Sequence, residues 1–146
     1  MPKKQHYLVA VDGSEWGERA ADHAITQARM TGADVTLVTV IPWSGYQPIS
    51  MEDIAVRPLE KKEEERLASE EILAPIIARH KDSGVTIKAE FFWGHPVKVI
   101  REQAKKLKAH QVFIGRRGRS RVADLILGSV ANSLAHSLGV PIVLVP

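Results

Sequence analysis

The 146 residues include no cysteine, which excludes disulfides, thiolate metal sites and cysteine nucleophiles. Aromatic residues make up only 5% of the chain. None is interleaved with its densest arginine cluster, as a nucleic-acid-reading surface would require, and no reading motif is present, so nucleic acid is not the expected partner. Long apolar runs are also missing. Tyr7 to Val11, after Met1–His6, is too short for a signal-peptide core, and nothing approaches the ~20 residues of a membrane span. A soluble cytoplasmic protein with no membrane partner is expected. There is no G-x4-G-K-[ST] and no G-x-G-x-x-G after the first apolar run. Asp12 stands alone where a phosphoacceptor domain would carry an acidic pair. The six histidines are scattered, with no i, i+4 pair beside an acid, so no histidine metal site is expected.

What remains is an ordinary globular composition, 45% apolar and 25% charged, of a length that suits one domain over 1–146. The net charge of +3 hides local alternation. Glu60-Lys61-Lys62-Glu63-Glu64-Glu65-Arg66 mixes both signs, as a solvated helix face does. Arg116, Arg117, Arg119 and Arg121 form the exception.

Short β-branched runs alternate with helical periodicity. Tyr7–Val11 reads as a strand ending in Asp12-Gly13-Ser14, where Ser14 caps a helix with Ala20, Ala21, Ala24, Ile25 and Ala28 on its apolar face. Val35–Ile41 is a second strand, and 42–57, containing Trp43 and Tyr46, reads as a long loop. Pro58–His80 is helical with a kink at Pro75, which has no N–H to donate to Glu71. Val85–Trp93 is the third strand, followed by a helix carrying Val97, Val99, Ile100, Ala104 and Leu107. Gln111–Ile114 and Ile142–Val145 are the last two strands, separated by a helix lined by Val130, Leu134 and Leu138. Strands apolar on both faces predict an α/β fold, a doubly wound five-stranded parallel sheet in the order 3-2-1-4-5 with helices on both faces. In such sheets ligands bind outside the strands' C-terminal ends where the strand order reverses. Asp12-Gly13-Ser14 and the loop from Gly115 would flank that point.

The second of these loops has the form G-x2-G-x9-G-S, with Gly115, Gly118, Gly128 and Ser129. Gly115, directly after a strand, would let the chain turn sharply and bring its N–H groups to an anion, and Gly118 would repeat this. Gly128 and Ser129 open the last helix, so amides, helix dipole and hydroxyl would point at phosphate. Arg117, with Arg116 beside it, would reach phosphate oxygens. Taken alone, this segment is equally a structural turn with solvated arginines.

With the Val9-Ala10-Val11-Asp12-Gly13-Ser14-Glu15 opening, Leu127-Gly128-Ser129-Val130-Ala131 and the Val140–Val145 ending, the chain resembles the ATP-binding branch of the universal stress protein family over nearly its whole length. That resemblance implies an ATP-binding regulatory stress-response protein, not an enzyme beyond slow ATP hydrolysis. It implies that Gly115, Gly118, Gly128 and Ser129 contact phosphates and ribose, with backbone help from Arg116 and Val130. Asp12 would lie beside the nucleotide and help place Mg²⁺, Ala10 and Val11 would border the base, and Val40 would contact adenine. It also implies a homodimer through the strand at 141–145, whose apolar edge seeks a partner. Arg116 stands where the family has a small residue, and Arg121 where glycine is frequent. Two alternatives stay open: a slow ATP hydrolase or nucleotide transferase using the same site, and a nucleotide-independent dimer that binds protein partners.

Overall fold

The computed structural model describes residues 4–42, 51–118 and 127–146, the side chains of 51–58 excepted. Trp43, Tyr46, Arg119 and Arg121 lie outside the described residues. Strands β1 (His6–Ala10), β2 (Asp34–Pro42), β3 (Ile87–Gly94), β4 (Gln111–Gly115) and β5 (Ile142–Val145) form one sheet in the order β3-β2-β1-β4-β5. Every neighbouring pair is parallel. Both faces are apolar because both are covered. On one side Ala20, Ala24 and Ile25 of helix α1 (Glu15–Thr31) join Leu73, Ile76 and Phe113. On the other, Ile100 and Ala104 of α4 (Pro96–Lys106) and Leu134 of α5 (Ser129–Ser137) pack with Leu8, Val38 and Val112.

Two stretches differ from the sequence reading. The long loop expected over 42–57 is helical from Met51 onward, in α2 (Met51–Arg66). Met51 to Arg57 contains no glycine, and Leu59 to Arg66 consists of leucine, glutamate, lysine and arginine, which favour a helix, so the single bond lost at Pro58 does not end it. The irregularity expected at Pro75 takes the form of a π-helical stretch, Leu67–Leu73, leading into α3 (Ala74–Arg79). The Ala74 N–H donates to the Ser69 carbonyl, five residues back. Pro75 has no N–H for Glu71, and its ring would crowd that carbonyl, so the wider register just before it relieves the clash. The long helical arm is tied to α1 through Asp22. Its carboxylate accepts from Arg79 at 2.7 Å and lies 2.7 Å from His80 Nε2. Partial burial pushes its pKa up, but those two hydrogen bonds and the charges behind them hold it below the usual carboxylate range.

Helix α4 ends in a Schellman turn: Ala109 N–H donates to Ala104 O at 2.9 Å and Lys108 N–H to Lys105 O at 3.1 Å. Lys108 therefore sits at φ 52°, a conformation that glycine adopts without steric cost and lysine does not. Lys108→Gly is expected to stabilise the fold by about 1 kcal/mol, read as a higher denaturant midpoint at unchanged slope. A lower midpoint would mean that the lysine side chain contributes contacts that outweigh the strain.

Candidate functional site

At the C-terminal ends of the strands, where β1 is flanked by β2 on one side and β4 on the other, lies a cavity of about 510 Å³. This is within the ~300–1,000 Å³ typical of small-molecule sites. Of the residues expected to bind nucleotide, Ala10, Val11, Asp12, Val40, Gly115, Arg117, Gly118, Gly128, Ser129 and Val130 all line it. Arg116 does not. Its N–H donates to Val145 O at 2.7 Å and its carbonyl accepts from Gly128 N–H at 2.8 Å. Its backbone is therefore spent on fastening the loop to β5 and to the start of α5, and its amide is not free for a ligand.

Asp12 organises one wall. Its Oδ1 accepts from the Ser14 N–H at 3.0 Å and from the Ser14 hydroxyl at 2.5 Å. Ser14 Oγ in turn accepts from Gly17 N–H at 3.2 Å, capping α1. The other oxygen, Oδ2, lies against Gly118, where a Cβ would stand only 2.6 Å from it. Gly118 is thus required by the approach of a carboxylate. Gly115 has a comparable reason. A Cβ there would lie 2.6 Å from Trp16 Cβ and 2.8 Å from the Trp16 carbonyl carbon. Among the described residues neither glycine has positive φ, so the sharp turn expected at Gly115 is instead a close contact between β4 and α1.

Two helix N-termini come near this region, and their chemistry differs. The first turn of α1 is capped by Ser14 and carries Glu15 and Glu18, so its positive end is already answered. α5 begins at Gly128 with no side-chain cap and no acid in its first turn, and Gly128, Ser129 and Val130 open onto the cavity. Its first amides have no intrahelical partner and suit an anion. Beside them Arg117 lines the cavity with its Nε buried and without a hydrogen-bond partner among the described residues. One end of the cavity is therefore built to receive negative charge.

The opposite wall was not anticipated from sequence. Glu64 of α2 and Leu67, Ala68, Glu71 and Ile72 of the π-helical stretch face β2 residues Thr39 to Pro42 across the cavity. The i→i+5 register sets Leu67 and Ile72 one above the other on a single face. Pro75 was the available signal, but it announces an irregular helix and not the surface that helix presents. No group of three or more histidines, aspartates or glutamates that would hold a metal occurs among the described residues. A divalent cation would need oxygens brought by a ligand, as Mg²⁺ sites built on phosphates do.

The family model described as the universal stress protein family matches residues 4–146. A universal stress protein of Synechocystis sp. is 26% identical, covering 94% of this chain and 95% of its own. Among solved structures, the universal stress protein UspA of Lactobacillus plantarum is 19% identical and covers all of both chains with a TM-score of 0.83. A universal stress protein solved in complex with cAMP is 25% identical, covers 97% of each chain and has a TM-score of 0.67. With this match over almost every residue, on the strand order expected for it, the chain belongs to the universal stress protein family.

Proposed function

We propose that the chain binds ATP in this cavity and acts as a regulatory cytoplasmic stress-response module, with no catalysis beyond slow hydrolysis. The observation that carries the reading is the convergence of Gly118, Gly128, the uncapped start of α5 and an Arg117 Nε without a partner among the described residues on one end of a single cavity. The relative solved with cAMP shows an adenine nucleotide in a protein of this family. In this reading the phosphates lie against the α5 amides, Ser129 and Arg117, and the base lies toward Ala10, Val11 and Val40. Mg²⁺, when bound, would neutralise phosphate charge, and Asp12 would steady it through the oxygen facing Gly118. Arg116 serves as a fastening of the loop. The edge strand β5, with Leu144 37% exposed, pairs two copies into a homodimer.

Arg117→Ala is expected to weaken ATP binding roughly 30-fold, the equivalent of about 2 kcal/mol for a lost charge-assisted contact, with Arg117→Lys recovering part of it. Titration calorimetry on the two variants checks this. An unchanged Kd in Arg117→Ala would remove the guanidinium from the phosphate site.

A further inference from the structure

The two faces of the sheet carry opposite charge. Helix α1 and residues 59–79 of the arm together hold nine carboxylates against six lysines and arginines. Part of this charge is paired locally: Arg66 with Glu63, Glu70 and Glu71, and Arg79 with Asp22. The opposite face is different. Between residues 98 and 108 stand Lys98, Arg101, Lys105, Lys106 and Lys108 with one carboxylate, Glu102. All five cations are exposed. None is in an ion pair among the described residues. Lys98, Arg101 and Lys105 follow i, i+3, i+7 spacing and form one stripe along α4, with Lys108 just beyond its end. The neighbouring α5 adds exposed Asn132, Ser133, His136 and Ser137 and no acid.

Helix stability does not explain these positions. Lys105 and Lys106 in the last turn suit the helix dipole, but Lys98 lies in a first turn that contains no acid, where a cation opposes the dipole. Lys108 occupies a left-handed position that glycine fills at lower cost. Two cations of one surface are thus kept at positions where the fold would favour another residue, as groups retained for binding are. We infer that the α4–α5 face is a docking surface for the sugar–phosphate backbone of a nucleic-acid duplex, bound without reading sequence. The stripe from Lys98 to Lys108 runs about 15 Å at ~1.5 Å per residue, room for about four phosphates at ~3.4 Å of duplex axis per phosphate on one strand. Asparagine and serine hydroxyl or amide donors complete a phosphate-contacting set. Among the described residues α4 and α5 themselves expose no large apolar side chain to enter a bilayer, which favours a nucleic acid over a membrane surface.

The experiment is fluorescence anisotropy of a labelled 20-base-pair duplex of arbitrary sequence with the full chain over a salt series. Four phosphate contacts give a slope of log Kobs against log salt of about −3.6, a loss of roughly 150-fold between about 50 and 200 mM. Lys98→Gln/Arg101→Gln/Lys105→Gln is expected to flatten the slope by about 2.7 and weaken binding at low salt at least 100-fold. Lys108→Gly is expected to bind more weakly while melting at a higher temperature, a split that a purely structural lysine would not give. Absence of binding by the unaltered chain at about 50 mM salt overturns the inference. So does full retention of binding in the triple variant. Association with vesicles containing phosphatidylserine in place of the duplex also overturns it, and assigns the face to membranes.

Discussion

Gly118→Asp is expected to reduce ATP affinity at least 100-fold while leaving the circular dichroism spectrum unchanged. The new Cβ would stand 2.6 Å from Asp12 Oδ2, and Asp12 has little freedom to retreat because its other oxygen holds both the N–H and the hydroxyl of Ser14. A second carboxylate there also faces the phosphates the site is proposed to bind. Like charges placed together cost several kcal/mol, and about 2.7 kcal/mol is already a factor of 100. Gly118→Ala separates the two effects. It adds the crowding and no charge, and a loss of about tenfold is expected. If both variants bind ATP as the unaltered chain does, the Gly118 side of the cavity is not the phosphate site.

The second large effect is on stability. Gly115→Ala is expected to cost about 3 kcal/mol and to lower the melting temperature by roughly 10 °C, because overpacking here meets main chain and not a mobile side-chain tip. The added Cβ would lie 2.8 and 2.9 Å from the carbonyl carbon and oxygen of Trp16 and 2.6 Å from its Cβ. Relief requires α1 to move away from the sheet, against a face that buries Ala20, Ala21, Ala24 and Ile25. A thermal melt without ligand measures this directly. A shift of under 2 °C would show that β4 and α1 are less tightly apposed than described.

Gly115 also shows how far sequence reasoning reached. A glycine directly after a strand and before an arginine-rich loop is visible in the chain, and it marked the right place. Its cause is not visible, since nothing in the sequence says that Trp16 will lie against it, ninety-nine positions earlier. The parallel sheet with both faces covered was legible for a stronger reason. Tyr7–Val11 is apolar at every position and Val35–Ile41 at all but Thr36 and Thr39, and only a sheet covered on both faces buries such runs. Asp12 was legible as either a turn residue or a ligand neighbour. The structure gives it the first role through Ser14 and places it on the cavity wall as well.

The far wall was hidden for a physical reason. Glu64, Leu67 and Glu71 lie in a charged helix whose local pattern describes a solvated surface, and only the packing of the π-helical stretch beside β2 turns part of it inward. The start of α2 was hidden differently: Pro58 offered a plausible first turn, whereas the helical backbone begins at Met51.

The central claim is that this cavity holds ATP with its phosphates at the α5 end. The most direct measurement is titration calorimetry of ATP into the unaltered full chain, with and without Mg²⁺. Saturable binding with one site per chain and a Kd on the order of micromolar, about −8 kcal/mol, is the expected result. No heat and no competition by ATP for a labelled adenine nucleotide at millimolar concentration would contradict it.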